Sequence, residues 1–353
     1  MKRLALFLIT PLILSGCISV QSEPMVDGGM YISTDNAQTF EHKTAIATVS
    51  EQPASFSNHN VEFMTFDPTD TDTMYFTTRE SHIYVTQDAG NSWRQLLKNK
   101  GIVNKVLINP EEPCHLHAQT RQNVFYSIDC GRSWTTVYLE KVKNRTIRDL
   151  VFDPAAYNRL FMTLSDRSIQ ISEDDGVTWR VWGNREDQGI EEPIQQLHIN
   201  PQNNQIAYAV TNETFYRSTN QGLTWEDLGE VIVKDFEFKN GKQVTRFIFI
   251  PEVEDGFYTV SKYGILKSLD GGVTWEDLTL LPKPKKETIL SLAVNPATMD
   301  ELYYGTARAL YYTKDGGVNW QTLKSPSSRR NSELLVHPQN ASILYIGVYT
   351  PPE

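Results

Sequence analysis

The stretch Thr86-Gln87-Asp88-Ala89-Gly90-Asn91-Ser92-Trp93 decides the fold, because the chain repeats it. Six copies begin at residues 86, 127, 172, 218, 268 and 313, so successive copies are a mean of about 45 residues (227/5) apart. A degenerate first copy has Ala37 in place of Gly and Phe40 in place of Trp. We name this pattern, Ser/Thr-x-Asp-x-Gly-x-Thr/Ser-Trp, the box. Its third position is held by Asp35, Asp88, Asp129, Asp174, Asn220, Asp270 and Asp315.

A second landmark, an apolar residue two positions before a proline, also occurs seven times. Its copies are Phe66-Asp67-Pro68, Ile108-Asn109-Pro110, Phe152-Asp153-Pro154, Ile199-Asn200-Pro201, Phe249-Ile250-Pro251, Val294-Asn295-Pro296 and Val336-His337-Pro338. Proline has no N–H to donate and favours a turn, so each landmark ends one strand and a short apolar run begins the next. The two patterns predict seven units of four strands, A to D. The landmark joins A to B, and the box joins C to D.

Four strands in about 45 residues are typical of a β-propeller blade. The first box has no landmark before it, and Pro338 has no box after it. We therefore predict an all-β, seven-bladed β-propeller of four-stranded antiparallel blades over residues 29–353. Its last blade should take strands C and D from Met30 to about His42, and strands A and B from 334–337 and 343–348. This closure leaves no free sheet edge.

The box resembles the Asp-box, or BNR repeat, of sialidases, sortilin-type receptors, xyloglucan-hydrolysing enzymes and photosystem II assembly factors. The full unit, as in Phe66 to Tyr75, is most similar to the sortilin and xyloglucanase repeats. The resemblance covers essentially the whole mature chain and implies the propeller fold, but it implies no single function. The box aspartates are expected to accept turn hydrogen bonds, one per blade, and not to form a catalytic or metal-binding set.

The N-terminus reads as an export signal. Met1-Lys2-Arg3 is positive, and the apolar run from Leu4 to Leu14 would rise only about 16 Å as a helix, too short for a bilayer core of about 30 Å. Leu14-Ser15-Gly16-Cys17 resembles a bacterial lipobox, so residues 1–16 are expected to be removed and Cys17 to carry lipid. Residues 17–28 would then be a lipidated N-terminus and linker. Ile18, by resemblance, favours the outer membrane of a bacterial envelope, and retention at the inner membrane through Ser19 is the alternative.

The net charge excludes one class of partner, and the cysteine positions predict a disulfide. The chain has 33 Lys and Arg against 43 Asp and Glu, a net charge of −10, which argues against nucleic acid. Cys114 begins strand B of one unit and Cys130 lies in the following box, so the two are expected to form a disulfide in an oxidising compartment. Two buried thiols are the alternative. Neither the His and Cys spacing nor any Gly-rich loop suggests a metal or a cofactor.

The B–C and D–A loops should share the rim opposite the boxes, and they vary in length and charge. Five B–C loops carry a basic residue at a similar place, and we call this set the collar: Arg79, Arg121, Arg167, Lys262 and Arg308. In a closed ring the collar would face an anionic partner, either a protein complex or an anionic glycan. The alternative is five solvated loop residues. Trp182 is either a partner anchor or a core residue.

Two functions remain open. The favoured one is a non-catalytic, lipid-anchored scaffold that presents one rim to a protein complex or a surface polymer, with no catalytic residues. The alternative is a glycoside hydrolase or glycan-binding protein, for which Asp166, Asp187 and Glu213 are candidate carboxylates. By resemblance, a sialidase would need an Arg-Ile-Pro segment near the start, which this sequence does not have. By resemblance, xyloglucanases place their catalytic carboxylates in a cleft between two propellers. The sequence analysed predicts a single propeller.

Overall fold

The computed structural model describes residues 26–47, 54–98, 100–184, 189–235, 242–251, 253–281, 283 and 285–351. The described chain opens with β1 (Gly29–Ser33), β2 (Glu41–His42) and a hairpin of β3 (Ala45–Ile46) and β4 (Ala54–Ser55). Blade 1 contains β5 (Val61–Phe66), β6 (Met74–Thr78), β7 (His82–Thr86) and β8 (Arg94–Lys98). Blade 2 contains β9 (Val103–Ile108), β10 (Leu116–Thr120), β11 (Asn123–Ser127) and β12 (Thr135–Leu139). Blade 3 contains β13 (Ile147–Asp153), β14 (Ala156–Leu164), β15 (Ile169–Ser172) and β16 (Arg180–Val181).

The remaining blades repeat this order. Blade 4 contains β17 (Gln196–Ile199), β18 (Ala207–Val210), β19 (Phe215–Ser218) and β20 (Glu226–Asp227), and helix α1 (Gly229–Asp235) follows it. Blade 5 contains β21 (Val244–Phe249), β22 (Phe257–Ser261), β23 (Ile265–Ser268) and β24 (Glu276–Asp277). Blade 6 contains β25 (Ser291–Val294), β26 (Leu302–Gly305), β27 (Ala309–Thr313) and β28 (Gln321–Lys324). The last strands are β29 (Arg330–His337) and β30 (Asn340–Tyr349).

The described residues thus form seven four-stranded antiparallel blades in a ring, as the two sequence landmarks predict. Blade 7 has the order β2-β1-β30-β29, so it combines the first two strands of the chain with the last two. Tyr31 pairs with Ile346 in the middle of this junction. Strands β29 and β30 also contact β5 of blade 1, which closes the circle.

Burial follows the position of a strand within its blade. Strand B is buried on both faces, as in β6 and β22, because a neighbouring blade covers each side. Strand D is largely exposed, as in β20 and β24. Apolar clusters therefore form between adjacent blades. One of them joins Met30 and Tyr345 of blade 7 to Phe76 of blade 1.

The landmark turns and the boxes lie on one rim, which we call the box face. In most blades the Asn or Asp before the proline accepts a backbone N–H two residues on, as when Asp67 Oδ1 accepts from Thr69 at 2.8 Å. The fourth box residue then donates its N–H to a carbonyl in the turn before strand B or in the first residues of that strand. This bond recurs in every blade: Asn36–Ser342, Ala89–Asp72, Cys130–Cys114, Asp175–Asn158, Gln221–Gln205, Gly271–Asp255 and Gly316–Asp300. The B–C and D–A loops share the opposite rim, the loop face.

Two described elements were not predicted from the sequence. Helix α1 lies in the D–A connection after blade 4, and the β3–β4 hairpin lies before blade 1. The hairpin covers the outer edge of blade 1, where Ile46 bridges Trp93 and the Trp93 indole N–H donates to Lys43 O at 3.1 Å. Trp93 is fully buried as a result. No helix in the described segments has the length and hydropathy to cross a bilayer.

Candidate functional site

The box forms a closed hydrogen-bond loop within its own turn. In blade 1, Thr86 Oγ1 donates to Asp88 Oδ1 at 2.6 Å and accepts from the Gly90 N–H at 2.9 Å. Ser92 donates its N–H to Asp88 Oδ1 at 2.9 Å and its hydroxyl to Oδ2 at 2.6 Å. Gly90 has φ +88, which favours glycine. Both carboxylate oxygens are used inside the turn, which suits a structural role.

The same arrangement holds the other box aspartates. Hydrogen bonds from the seventh box residue lower the pKa of Asp35, Asp129 and Asp315 to about 2. Asn220 replaces the carboxylate with an amide, whose Nδ2 donates to Thr224 Oγ1 at 2.8 Å. Within the described residues, no group of three or more His, Cys, Asp or Glu is placed to hold a metal ion.

Cys114 and Cys130 are joined by a disulfide on the box face, with Cα atoms 4.0 Å apart. Their backbones also make the recurrent bond from the box to the turn, N–H of Cys130 to the Cys114 carbonyl at 3.1 Å. The disulfide therefore reinforces a contact that every blade already makes. The other predicted modification site, Cys17, lies outside the described residues.

A repeated irregularity marks the loop face. In blades 1, 2, 3, 5 and 7 the pairing of strands A and B shifts by one residue near the start of strand A. The unpaired residues at these bulges are Glu62, Asn104, Arg148, Thr245 and Ser332. A bulge re-aims a side chain out of the sheet and is frequent beside functional sites. Strand A begins on the loop face, so the bulges lie near the centre of that face.

A cleft of about 250 Å³ lies where strands A of blades 1, 5, 6 and 7 converge on this face. We call it the mouth cleft. Its lining includes two of the bulge residues and three arginines: Val61, Glu62, Arg79, Arg246, Leu290, Arg330, Ser332, Glu333 and Tyr349. Three guanidinium groups against two carboxylates leave it with a net positive charge, on a chain that is acidic as a whole.

Ion pairs fix most of the charge in the mouth cleft. Arg79 Nε lies 2.5 Å from Glu62 Oε2, and its guanidinium stacks 4.3 Å from the Tyr349 ring centroid. Arg246 reaches from blade 5 to Glu333 of blade 7, with Nη2 2.5 Å from Oε1. Burial raises the pKa of Glu333, although the neighbouring Arg246 guanidinium opposes the shift.

Arg330 differs from the other two arginines. Its side chain is exposed and has no ion pair or hydrogen bond to the described residues. The mouth cleft therefore holds two internally compensated arginines and one cation directed to solvent. An anionic group could bind Arg330 without displacing either existing pair.

The collar residues occupy equivalent B–C loops on the loop face, and Arg79 is the member that lines the mouth cleft. Arg167 donates from Nη1 to the Glu191 carbonyl at 3.2 Å, with its own φ at +73. Lys262 lies 5.1 Å from the Tyr263 ring centroid. Arg121 and Arg308 are exposed. The contacts of Arg79, Arg167 and Lys262 thus differ from one another, and these three side chains do not share a common partner.

Of the three carboxylates considered for catalysis, the structure describes Asp166 and Glu213. Asp166 Oδ2 lies 3.3 Å from Arg145 Nη1. Burial alone would raise the pKa of Asp166, but hydrogen bonds from Ser168 and Arg145 outweigh it and lower the pKa, which is unfavourable for a general acid. Glu213 is exposed in the blade 4 B–C loop, and Asp187 lies outside the described residues. Trp182 packs edge-on against Phe161, as a core residue would.

The sequence did not predict Arg246, Arg330, Glu333, Glu62 or Tyr349 as site residues. The available signal was a charged side chain near the start of strand A, but blades 2 and 3 carry one as well, at Lys105 and Asp149, so the signal does not single out this site. In the mouth cleft it occurs as Glu62 in Val61–Phe66 and as Arg246 in Val244–Phe249. The two partners of one pair, Arg246 and Glu333, are 87 residues apart, and the ring brings them together.

These features define a class: a seven-bladed β-propeller with a charged cleft at the centre of its loop face. The sequence matches no protein-family model and no curated protein. Solved structures do share the fold. A YCF48 structure with a bound D1 peptide is 17% identical over 83% of this chain and 94% of its own, with a TM-score of 0.61. YCF48 from Cyanidioschyzon merolae is 12% identical over 86% of this chain and 98% of its own, with a TM-score of 0.62.

A second group of similar structures consists of GH74 enzymes. The xyloglucanase from Xanthomonas campestris is 15% identical over 82% of this chain, with a TM-score of 0.66. This chain spans about half of that enzyme, 51% of its length. At identities this low the likeness establishes the fold alone.

Proposed function

We propose that this protein is a non-catalytic lipoprotein of the Asp-box propeller type that binds a partner on its loop face. In this proposal residues 1–16 are the signal peptide, residues 17–28 carry the lipid at Cys17 and form the linker, and residues 29–353 form the propeller. The lipid places the propeller in the bacterial envelope, with the outer membrane favoured. The partner is a protein complex or an anionic surface polymer.

The observation that carries the proposal is the uncompensated Arg330 in the mouth cleft. Its neighbours Arg79 and Arg246 are already ion-paired, so their side chains are preorganised and Arg330 is left for a ligand. An acidic side chain or a carboxylated sugar could pair with it. The collar residues Arg121 and Arg308 extend the same charge outward. A structural neighbour, YCF48, binds a D1 peptide, which supports protein recognition by this fold.

The alternative is glycoside hydrolysis or glycan binding, supported by the GH74 neighbours and by two glutamates in one cleft. Glu62 and Glu333 both line the mouth cleft, and burial raises the pKa of Glu333, as a general acid requires. Each glutamate, however, is held by an arginine at 2.5 Å. Arg246 opposes the rise in the pKa of Glu333, and Glu62 is already engaged by Arg79, so binding is the better supported function.

The test is capture of partners by the lipidated protein from its native envelope. Arg330→Glu should abolish recovery of the specific partner, because it reverses the charge without breaking an internal pair. Lys314→Glu is the matched control, since Lys314 is exposed on the box face. Equal recovery with both variants would reject the mouth cleft as the binding site. Release of reducing ends from a glycan panel, lost in Glu333→Gln, would support the hydrolase instead.

A further inference from the structure

The chain enters the propeller on the loop face. Strand β1 is strand C of blade 7, so its first residue, Gly29, lies at the B–C end. The preceding residues are fixed there, since Gly28 donates its N–H to Ser57 O at 2.7 Å. Asp27 accepts a hydrogen bond at 2.9 Å from the N–H of Ser328, which lies in the D–A loop between blades 6 and 7. Val26, the first residue that the structure describes, is therefore on the loop face.

Exposed cations lie on one side of the point where the N-terminal segment joins the propeller. We call them the basic sector: Lys262, Lys283, Lys285, Lys286, Arg308 and Arg330. Their loops are joined in sequence around blades 5 to 7. Ile289 donates its N–H to Lys262 O at 3.0 Å, and Asn331 Nδ2 donates to Thr306 O at 3.0 Å. Neighbouring loops of the basic sector are thus hydrogen-bonded to one another, and the loop that precedes Arg330 also holds Asp27 through Ser328.

The charge of the basic sector is not compensated locally. Glu287 is the acidic residue within its loops and is partly buried, while Asp27 is paired with Arg329 at 3.3 Å. Among the described residues, exposed acids of the loop face lie instead around blade 4, at Glu191, Glu213 and Glu230. The loop face therefore has a basic side, which includes the point where the N-terminal segment joins the propeller, and an acidic side at blade 4.

We propose that the basic sector docks the propeller on anionic phospholipid headgroups, as a second membrane contact beside the lipid. This inference rests on the proposed anchor at Cys17. From Cys17 to Val26 the chain can extend at most about 30 Å, which is comparable with the radius of gyration of about 20 Å expected for a folded domain of this size. The anchor therefore keeps the loop face close to the bilayer, where Lys and Arg are attracted to anionic lipid.

This contact has two consequences. A polybasic patch is a common membrane signal beside a lipid, and here it would fix the orientation of the propeller relative to the bilayer. The attraction falls off within a Debye length of about 10 Å, so salt should release the basic sector and leave the lipid inserted. Because Arg330 belongs to both features, the mouth cleft then opens beside the membrane surface. A partner would therefore contact the mouth cleft through those of its segments that lie near the membrane.

The experiment uses the full lipidated protein reconstituted on vesicles. With Cys17 lipidated and Cys114 bonded to Cys130, one introduced cysteine is the unique labelling site. A fluorophore is attached at Lys285→Cys in the basic sector or at Val273→Cys on the box face, where Val273 is 68% exposed. Quenching by acrylamide is compared on phosphatidylcholine vesicles with and without phosphatidylglycerol.

We expect phosphatidylglycerol to reduce quenching several-fold at position 285 and to leave position 273 unchanged, with high salt reversing the effect. The combined variant Lys283→Glu, Lys286→Glu and Arg308→Glu should lose this protection. The matched variant Lys141→Glu and Lys143→Glu, also on the loop face, should keep it. Equal quenching at 285 and 273 on vesicle-bound protein would overturn the inference. Protein that fails to bind vesicles, or that labels at Cys17, would refute the anchor instead.

Discussion

Asp27 and Arg329 are 302 residues apart in sequence and form an ion pair, with Arg329 Nε 3.3 Å from Asp27 Oδ1. Asp27 also accepts from the hydroxyl of Ser328 at 2.7 Å. Arg329 Nη1 extends the contact to Asn60 Oδ1 at 3.3 Å, which also accepts from the Thr350 N–H at 2.7 Å. These contacts therefore join the first described residues, the loop before β29, the residue after β30 and the start of blade 1.

Removing this carboxylate should loosen the closure of the ring. Asp27→Ala leaves the partly buried Arg329 unpaired, so we expect a loss of about 2 kcal/mol in the free energy of unfolding. Urea titration measures this loss, and hydrogen exchange should show faster opening of β1 than of blade 4. Ser328→Ala, which removes one donor and no charge, should cost less than half as much. Uniform exchange across both blades would contradict a closing role.

The box glycine of blade 5, Gly272, should not tolerate a side chain, although the first box has Ala37 at the equivalent position. Gly272 has φ +94, and a Cβ there would lie 2.6 Å from Leu228 Cδ1 of the preceding blade. We expect Gly272→Ala to destabilise the protein by about 3 kcal/mol, from backbone strain and overpacking together. Gly101→Ala is the control, because Gly101 has φ +91 and no atom within 4 Å. Gly101→Ala should lower the free energy of unfolding by about 1 kcal/mol. Thermal melts of the two variants measure the difference. Equal losses would show that the contact between blades contributes nothing.

Acid should weaken the boxes. The folded pKa of Asp35, Asp129 and Asp315 is about 2, below the ordinary aspartate value of about 3.9. Their contribution is therefore fully present above about pH 4 and is lost as the pH falls through about 2. Unfolding followed by circular dichroism should show this decline. Asp315→Asn should flatten the decline between pH 4 and 2. An unchanged acid limb in this variant would contradict the assignment.

Removing Arg246 alone should destabilise the protein much more than removing both Arg246 and Glu333. Glu333 is 16% exposed, so Arg246→Met leaves a mostly buried carboxylate without its partner and should cost about 3 kcal/mol. Because burial raises the pKa of Glu333, stability of this variant should increase as the pH falls towards that pKa. Adding Glu333→Leu should recover most of the loss in urea titrations. A double variant as unstable as Arg246→Met would contradict this account.

The disulfide should contribute through the unfolded state. Cys114 and Cys130 are 16 residues apart, and closing a loop of this size stabilises a protein by about 3 kcal/mol. The variant Cys114→Ala/Cys130→Ala should lower the urea midpoint accordingly. A reductant should shift the wild type to the same midpoint and leave the variant unchanged. A midpoint that does not respond in the wild type would exclude a stabilising bond.

The sequence predicted the fold because each blade repeats local rules. The proline landmark and the box glycine both act within a few residues, so their pattern shows where strands end. The mouth cleft follows no local rule, since Arg246, Glu333 and Arg79 come from different blades. Helix α1 and the β3–β4 hairpin were also missed, because both lie in connections outside the repeat. The collar was visible as a loop position, but the partner of Arg79, Glu62, was not.

The central claim is that the loop face, at the mouth cleft, binds the partner. The most direct test places a photo-crosslinking benzoylphenylalanine at Tyr349 in the mouth cleft, or at Tyr157 at the start of strand B on the box face. Both changes replace one aromatic side chain with another. Irradiation of the native envelope should give a specific adduct at position 349 that Arg330→Glu abolishes, and none at position 157. An adduct at 157 with none at 349 would contradict the account.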